Sequence, residues 1–317
     1  MSKTLKDLKV VFMGTPEFSV PILESLIELT DVVLVVSQPD KEVGRKRVLT
    51  PSPVKACALS HGIEVYTPAK IREEYEYILN KKPDIIITAA YGQIVPKQML
   101  IYPDYGCINV HASLLPKYRG ASPIQSAIMN GDTTTGVTLM YMEEGLDTGN
   151  IIHAKEIDID PTDTYGTLSD KLSILGRDLL AKTLPVIFEG ENFDIPQNED
   201  DATHTVKIKR EDEELDFNRK ALELHNLVRA LNPTPLANIK VNGEEWKVLD
   251  TEVGEPTNEK PGTVVAVNKD SFEVACLDST LRIKKIKPAG KKEMFVKDFF
   301  NGFNKDSLKG VVLNEKE

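Results

Sequence analysis

Cys107-Ile-Asn-Val-His-Ala-Ser-Leu-Leu-Pro-Lys-Tyr-Arg-Gly-Ala-Ser-Pro-Ile-Gln125 contains, in this order, the end of a strand, a loop and the start of a helix. Asn109 and His111 are two residues apart, so in a strand their side chains project from the same face. Ser122-Pro123 predicts the beginning of a helix, because serine is a favoured N-cap and proline a favoured first helical residue. The stretch therefore predicts a strand whose end presents polar groups beside a loop.

Three polar side chains in this region have the chemistry that acyl transfer requires. Besides Asn109 and His111, Asp147 lies in the glycine-flanked turn Gly145-Leu-Asp-Thr-Gly149. An amide can donate a hydrogen bond to a developing oxyanion, and an imidazole with a carboxylate can exchange protons. Each residue also has a structural interpretation, in which Asn109 bonds buried backbone and Asp147 is an ordinary turn carboxylate. Three other histidines are interpreted as structural, namely His61, His153 and His225.

The first two-thirds of the chain alternates short apolar strands with helices. The predicted strands before residue 107 are 8–13, 32–36, 64–66 and 83–90, and the predicted helices begin at Thr15-Pro16 and cover 53–61 and 71–79. The continuous apolar run 83–90 is typical of a central parallel strand covered on both faces. This alternation predicts an α/β fold with a Rossmann-like, doubly wound sheet, in which ligands gather at the carboxyl ends of the strands.

The sequence favours neither a nucleotide cofactor nor a metal. The turn after the first strand, Met13-Gly-Thr-Pro-Glu-Phe18, has one glycine where the dinucleotide fingerprint needs three, and the chain contains no P-loop. The histidines form no HxxxH or HExxH pattern, and the three cysteines form no CxxC pair. NAD, ATP and zinc are therefore all disfavoured.

Composition and charge limit the class of protein. With 317 residues, 41% of them hydrophobic and 28% charged, the chain has room for two globular domains. We expect a cytoplasmic protein, because no apolar run reaches membrane-spanning length and the amino terminus lacks a signal pattern. The net charge of −10 argues against nucleic-acid binding over the whole surface. Two local basic clusters remain, Arg45-Lys-Arg47 and the lysine-rich segment 282–292.

The last third changes character. Residues 191–210 are polar without a clear period and are predicted to be a linker, after which Asn218 is predicted to cap a helix that Asn232-Pro233 ends. Five short strands are then predicted at 237–241, 245–251, 263–267, 272–276 and 281–286, with a hairpin turn at Asn242-Gly243 and a closing helix at 294–303. This pattern predicts a small antiparallel β-barrel of the OB type, a fold often used on nucleic acids.

Together these motifs resemble the methionyl-tRNA formyltransferase family, a branch of the 10-formyltetrahydrofolate-dependent formyltransferases. The resemblance rests on Val11-Phe-Met-Gly-Thr-Pro-Glu-Phe18, Gln38-Pro-Asp40, Pro51-Ser-Pro-Val-Lys55, Ala90-Tyr-Gly-Gln-Ile-Val-Pro96, Asn109-Val-His-Ala-Ser-Leu-Leu-Pro116, Arg119-Gly-Ala-Ser-Pro-Ile-Gln125 and Leu146-Asp-Thr-Gly149. It covers residues 8–190 and resumes at Leu231-Asn-Pro-Thr-Pro235. Two positions depart from the family pattern: Ala112 replaces a usual glycine, and Thr234 replaces a usual tryptophan.

The resemblance implies three segments: a formyltransferase catalytic domain at 1–190, a linker at 191–210 and a tRNA-binding OB-like barrel at 211–317. It implies transfer of the formyl group of 10-formyltetrahydrofolate to the amino group of initiator methionyl-tRNA, without metal or nucleotide cofactor. The implied catalytic residues are Asn109, His111 and Asp147. Asn109 and a charged His111 would donate hydrogen bonds to the formyl oxygen, and Asp147 would favour the charged imidazole. Asp147, His111 or a bound water are all candidates to take the proton from the amine.

The resemblance also implies which residues bind the two substrates. Ser113, Leu114, Leu115 and Pro116 would line the folate site, which segments 91–95 and 143–146 would complete. The loop 41–47 would contact tRNA through Lys41, Arg45, Lys46 and Arg47. We expect the protein to act as a monomer. The alternatives are an enzyme that formylates a small amine (glycinamide ribonucleotide or an aminosugar nucleotide), a hydrolase that releases formate from the folate, and a non-catalytic RNA-binding relative.

Overall fold

The computed structural model describes residues 4–44, 46–191 and 193–314, which fold into two compact units. The first unit contains the described residues of Met1–Pro123, together with Thr135–Ile157 and Ser169–Thr205. The second unit contains Ile124–Thr134, Asp158–Leu168 and the described residues of Val206–Glu317. The chain therefore passes between the two units several times before residue 206.

The helices and strands follow one another as the alternating pattern predicts. Up to residue 188 they are β1 (Lys9–Gly14), α1 (Val20–Leu29), β2 (Asp31–Val36), β3 (Lys41–Val43), β4 (Val48–Thr50), α2 (Pro53–Ser60), β5 (Val65–Tyr66), α3 (Ile71–Glu74), α4 (Glu76–Leu79), β6 (Ile85–Ala89), α5 (Lys97–Leu100), β7 (Cys107–His111), β8 (Arg119–Gly120), α6 (Pro123–Met129), β9 (Thr134–Tyr141), β10 (Ile151–Asp158) and α7 (Tyr165–Phe188). After residue 188 they are β11 (His204–Thr205), α8 (Ala221–Ala230), β12 (Ala237–Val241), β13 (Glu244–Pro256), β14 (Val264–Val267), β15 (Phe272–Ala275), β16 (Ser279–Lys287), β17 (Met294–Phe295) and α9 (Val296–Phe299).

The first unit is built on a seven-stranded sheet in the order β10-β9-β7-β6-β1-β2-β5. The strands β1, β2, β5, β6 and β7 are parallel to one another, and β9 is antiparallel to β7. This mixed, mostly parallel sheet confirms the predicted Rossmann-like fold. Every residue of β6 is buried, as expected for a central strand covered on both faces. Because parallel strands share one carboxyl edge, Gly14, Val36, Ala89 and His111 end their strands along the same side of the sheet.

Two helices of the first unit differ from the prediction. The helix expected from Thr15-Pro16 starts at Val20, after a 3₁₀ turn at Glu17–Ser19. The Thr15 hydroxyl does not cap this helix, because it donates to the Tyr91 carbonyl at 3.0 Å, just beyond β6. The single helix predicted at 71–79 is divided into α3 and α4 at Tyr75.

The second unit contains the predicted small antiparallel β domain. Its sheet has the order β12-β13-β16-β15-β14, and β17 pairs with β16. The predicted turn at Asn242-Gly243 is confirmed, since both residues have the positive φ that this hairpin turn needs (49° and 79°). The helix predicted at 294–303 is wrong in its extent: the segment first pairs with β16 as β17 and is α-helical only over Val296–Phe299.

The start of α8 is held by a residue that the sequence pattern did not identify. Asn218 was the predicted cap, but its side-chain amide donates to Asp216 Oδ1 at 2.8 Å, and the helix begins at Ala221. The amide of Ala221 donates instead to Asp278 Oδ1 at 3.0 Å, 57 residues along the chain. This bond lowers the pKa of Asp278, because it favours the charged carboxylate. The cap is therefore a tertiary contact and leaves no local signal.

We expect Asp278→Ala to lower the free energy of unfolding of the second unit by about 1 kcal/mol, the usual cost of losing a helix cap. Urea unfolding can be followed by the fluorescence of Trp246, the single tryptophan, which is buried in this unit. The matched control is Asn218→Ala, for which we expect less than about 0.5 kcal/mol. Since the pKa of Asp278 is lower in the folded state, its contribution is present above the pKa of an unfolded aspartate and disappears as pH falls below about 4. Equal effects of the two substitutions at neutral pH would contradict this assignment.

Candidate active site

The three candidate catalytic residues all lie in the first unit, at the carboxyl edge of its sheet. In β7 the side chains of Asn109 and His111 alternate with the buried Ile108 and Val110, so they share a face as predicted. Asp147 lies in the loop between β9 and β10. The structure brings two of the three together, with His111 Nδ1 3.7 Å from Asp147 Oδ2.

His111 is oriented by a backbone carbonyl. Its Nε2 lies 3.0 Å from the carbonyl oxygen of Tyr118, and its side chain is only 6% exposed. A carbonyl oxygen can only accept a hydrogen bond, so Nε2 carries the hydrogen and donates it. Nδ1 is therefore the ring atom that can gain or lose a proton, and it faces the carboxylate of Asp147.

Asp147 is held by a backbone amide. Its Oδ2 accepts a hydrogen bond from Gly120 N at 2.8 Å, and its own backbone has a φ of +54°. Gly120 has a φ of +115°, and a Cβ at this position would collide with the carbonyl oxygen of Thr205. Residue 120 must therefore be glycine for its amide to approach Asp147 in this way.

Asn109 presents a hydrogen-bond donor. Adjacent positions of β6 and β7 pair Thr88 with Asn109, and the buried Thr88 hydroxyl donates to Asn109 Oδ1 at 2.8 Å. With Oδ1 bonded to Thr88, the other end of the amide is the Nδ2 group, which carries two donor hydrogens. Within the described residues, the Nδ2 hydrogens of Asn109 have no acceptor, so this NH₂ group is available to a ligand oxygen.

The loop predicted to line the folate site is rigidly held. Thr138, which pairs with His111 across β7 and β9, donates its hydroxyl to Ser113 O at 2.7 Å and accepts from Leu115 N at 3.1 Å. The Ser113 hydroxyl donates to Lys117 O at 2.6 Å, so it closes the loop and is not free for a ligand. Ser113 and Leu115 are buried, whereas Leu114 and Pro116 are partly exposed.

The two departures from the family pattern cause no visible strain. Ala112 is buried, and its backbone is not in the left-handed region that would require glycine. Thr234 is exposed and belongs to the second unit. Alanine at position 112 therefore adopts the backbone conformation before the loop 113–116 without strain.

The two segments predicted to complete the folate pocket have different surfaces. Tyr91 is 4% exposed, its hydroxyl has no hydrogen-bond partner within the described residues, and burial raises its pKa. Ile94 and Leu146, by contrast, are more than 60% exposed. These two side chains offer apolar surface on loops that follow β6 and β9.

The loop predicted to contact tRNA is an exposed hairpin made of β3 and β4. It follows β2 directly, so it leaves the sheet at the same carboxyl edge as β7. Lys41, Lys46 and Arg47 are exposed, and Arg47 Nε lies 3.7 Å from Glu42. Arg45, the fourth predicted residue, lies outside the described residues. The hairpin also exposes three large apolar side chains, Val43, Val48 and Leu49.

Three of the six cations in the second basic cluster are paired with carboxylates. On β16, Arg282 pairs with Glu273 at 3.1 Å, Lys284 with Glu252 at 2.6 Å, and Lys285 with Glu293 at 3.0 Å. These ion pairs leave the strand with little net positive charge. They favour the structural interpretation of its lysines over a nucleic-acid contact.

The three histidines interpreted as structural, His61, His153 and His225, each lie at a helix end or beside a threonine hydroxyl. His153 Nδ1 lies 3.1 Å from Thr183 Oγ1, and His225 Nδ1 lies 2.9 Å from Thr251 Oγ1. Burial lowers the pKa of His225, and His61 ends α2. Over residues 4–44, 46–191 and 193–314, the structure contains no cluster of His, Cys, Asp and Glu placed to hold a metal. The same part of the chain contains no helix long and apolar enough to span a membrane.

The sequence pattern missed the backbone groups and side chains that orient the candidate residues. They are Thr88 beside Asn109, the Tyr118 carbonyl beside His111, the Gly120 amide beside Asp147, and Arg119, which donates a hydrogen bond to Gln197. Gly120 carried a detectable signal, since it follows Arg119 in one of the quoted motifs. The others make contacts that depend on the tertiary fold.

Comparison with known families covers most of the chain. Residues 8–184 match the family described as formyl transferase, and residues 207–304 match the formyl transferase C-terminal domain. Among solved structures, an N-formyltransferase from Helicobacter canadensis, in complex with folinic acid and dTDP-3-aminofucose, has a TM-score of 0.62 and 22% identity. The match covers 89% of this chain and 99% of that one. At this identity the likeness shows a shared fold.

Much closer relatives are found among characterised proteins. The methionyl-tRNA formyltransferase of Bacillus subtilis is 51% identical over 316 residues, covering 97% of this chain and 99% of the relative. The methionyl-tRNA formyltransferase of Macrococcus caseolyticus is 47% identical over 309 residues, again covering 97% and 99% of the two chains. The likeness extends through both family domains, and this chain therefore belongs to the methionyl-tRNA formyltransferase family.

Proposed function

We propose that this chain transfers the formyl group of 10-formyltetrahydrofolate to the amino group of initiator methionyl-tRNA, using Asn109, His111 and Asp147. The observation that carries the proposal is the arrangement of these groups at one sheet edge. An unoccupied amide donor lies on the same face of β7 as an imidazole whose free nitrogen faces a carboxylate. The family of the chain supplies the two substrates.

The chemistry assigns a separate task to each group. The neutral amine attacks the formyl carbon, and negative charge develops on the formyl oxygen, where the Asn109 Nδ2 hydrogens can donate. The new carbon–nitrogen bond gives the amine a positive charge, and His111 Nδ1 accepts its proton with Asp147 stabilising the resulting imidazolium. When the bond from the formyl carbon to folate N10 breaks, N10 takes up the proton that His111 has accepted, which returns the imidazole to its neutral form. No metal or nucleotide cofactor enters these steps.

The folate is proposed to lie along the loop Ser113, Leu114, Leu115 and Pro116. The bonds from Thr138 to both sides of Leu114 hold this loop in one conformation, so little ordering is needed when the ligand binds. The exposed Leu146 and Ile94 would supply apolar contact from the neighbouring loops. The structure of the Helicobacter canadensis relative, which has the same fold, is a complex with folinic acid, and this supports a folate as the donor.

The tRNA is proposed to contact the β3–β4 hairpin through Lys41, Arg45, Lys46 and Arg47. Cations at the hairpin would bind phosphates, and the exposed apolar residues beside them would pack against the terminal bases. The catalytic domain is proposed to be 1–190, followed by the linker 191–210 and the tRNA-binding domain 211–317. The protein is proposed to act in the cytoplasm, where translation takes place. It is proposed to act as a monomer, since one chain supplies every group of the candidate site.

Formylation of a small amine is the second candidate activity, because the Helicobacter canadensis relative carries an aminosugar nucleotide. Two observations favour tRNA. The Bacillus subtilis and Macrococcus caseolyticus relatives, with about half of their residues identical, are methionyl-tRNA formyltransferases, and each match covers 97% of this chain, including the C-terminal domain.

We expect Asn109→Ala to lower kcat by about 10²- to 10³-fold, because it removes the donor to the developing oxyanion. Formyl transfer from labelled 10-formyltetrahydrofolate to charged initiator methionyl-tRNA would measure this loss. His111→Ala and Asp147→Ala should also lose most of the activity. The matched control is Asn80→Ala, an exposed asparagine at the end of α4, which should leave kcat unchanged.

Uncharged initiator tRNA, charged elongator tRNA and aminosugar nucleotides test the acceptor in the same assay. Transfer to small amines but to no tRNA would reject the tRNA function. Formate release without any acceptor would indicate a hydrolase. Full activity in Asn109→Ala would reject the assignment of the oxyanion donor, even with the correct tRNA acceptor.

The hairpin assignment predicts a salt effect. We expect Lys46→Gln/Arg47→Gln to weaken methionyl-tRNA binding at low salt. It should also reduce the slope of log Kd against log salt by about 1 to 2. Each phosphate contact that is lost no longer releases counterions when the tRNA binds. Binding of fluorescently labelled tRNA, measured across a salt series, would give this slope.

A charge-matched control separates this effect from net charge. Lys9→Gln/Lys82→Gln removes two exposed cations at the amino edge of the sheet, where Lys9 begins β1 and Lys82 lies just before β6. We expect the slope of this variant to stay at the wild-type value. An equal change in both double variants would show that overall charge, and not the hairpin, attracts the tRNA.

A further inference from the structure

Segment 193–205, which we call the strap, crosses the loop between β7 and α6. Its Thr203 makes three hydrogen bonds to that loop: its amide donates to Pro116 O, its carbonyl accepts from Arg119 N at 2.8 Å, and its hydroxyl accepts from Tyr118 N at 2.8 Å. The strap then pairs with the loop as two short parallel strands, β11 with β8. Strap and loop both belong to the first unit, so these contacts form one continuous structure.

Gln197 connects the strap to the turn that carries Asp147. Its side-chain nitrogen donates to Asp147 O at 2.8 Å and to Gly149 O at 2.7 Å. Its side-chain oxygen accepts from Arg119 Nε at 3.0 Å. Both amide hydrogens and the amide oxygen therefore have protein partners, and the side chain has one orientation that satisfies all of them.

Arg119 fixes that orientation. Its side chain is 1% exposed, and its two terminal nitrogens donate to the carboxylate oxygens of Glu199 at 2.9 and 2.8 Å. These hydrogen bonds raise the pKa of Arg119, and the guanidinium is always charged. Because Arg119 offers only donors, the oxygen of Gln197 must face it, and the nitrogen must face the turn.

The turn needs such support. Asp147 has a φ of +54°, a conformation that aspartate adopts only at a cost unless its surroundings hold it. Gln197 holds its backbone carbonyl from one side, and Gly120 N holds its carboxylate from the other. These two contacts place Asp147 Oδ2 at 3.7 Å from His111 Nδ1.

We propose that Gln197 is a positioning residue of the formyl transfer, which holds Asp147 against His111 while Arg119 orients the Gln197 amide. The inference rests on the proposed function of Asp147. Within the part of the chain that the structure describes, the side chain of Gln197 makes no hydrogen bond to Asn109 or His111, so its effect on the reaction passes through the turn 147–149. A residue 50 positions after Asp147, in a segment predicted to be a linker, is thereby part of the catalytic geometry.

The test is Gln197→Glu, which keeps the shape of the side chain. The carboxylate can still accept from Arg119, but it has no hydrogen to donate and repels the carbonyl oxygens of Asp147 and Gly149. We expect kcat to fall about 10- to 100-fold, as when a catalytic group is misplaced by a fraction of an ångström. The KM for methionyl-tRNA and the Kd for the folate donor should stay within about threefold of the wild type, because Gln197 lies behind the turn. The matched control is Asp200→Asn, an exposed position on the same strap.

The same substitution made in an Asp147→Asn background separates a positioning role from a general structural effect. In Asp147→Asn the carboxylate is already lost, so adding Gln197→Glu should change the single-turnover rate by less than about twofold. Enzyme in excess over labelled methionyl-tRNA keeps such slow variants measurable. An equal loss in both backgrounds, or a rise in KM without a fall in kcat, would overturn the inference.

The outcome is distinguishable from failure of the proposed function. If the wild type forms no formyl-methionyl-tRNA, the proposed function is wrong. If the wild type is active and Gln197→Glu is equally active, only the positioning role is wrong. A melting temperature of Gln197→Glu close to that of Asp200→Asn would show that the fall in kcat does not come from unfolding.

Discussion

The candidate site depends on the backbone between Tyr118 and Gly120. The carbonyl of Tyr118 fixes the hydrogen of His111 on Nε2, and the amide of Gly120 fixes the carboxylate of Asp147. Two candidate groups, one at the end of strand β7 and one in the loop after β9, are thus both oriented by a single short stretch of main chain. Main-chain groups are well suited to this task, because their positions are set by the fold and no side-chain rotamers need to be ordered.

Burial makes these contacts selective. His111 and Arg119 are almost inaccessible to water, and in such surroundings a misdirected polar group loses its hydrogen bonds without replacement by solvent. The tautomer of His111 is therefore a consequence of its surroundings. At Asn109 the amide oxygen is bonded to Thr88, and the amide nitrogen is the group that we propose to donate to the substrate. The orientation of their hydrogen-bond donors and acceptors, more than their proximity alone, distinguishes these residues from three polar residues that happen to be near one another.

Most of the fold could be predicted from the sequence because its signals are local. The apolar run 83–90 predicts a fully buried central strand, and Asn242-Gly243 predicts a hairpin through the φ values that those residues accept. The candidate catalytic residues were identified from their chemical type and from the family resemblance. What could not be predicted was set by partners far away in sequence, such as Asp278 at the start of α8 and Gln197 behind Asp147. Thr15 shows the same limit, since its hydroxyl serves the end of a neighbouring strand instead of its own helix.

The polar segment 191–210 shows that a segment without periodicity can still hold other parts of the structure in place. Helices and strands bury side chains at regular intervals, and their patterns are visible for that reason. A strap bonds mainly through its backbone and a few polar side chains, here Gln197, Glu199 and Thr203, and polar residues without periodicity look like a linker. Yet a strap can impose tight geometry, because its polar contacts converge on the buried Arg119 and on the turn that carries Asp147. The precision of the site is thus supplied by a segment whose sequence carries little sign of it.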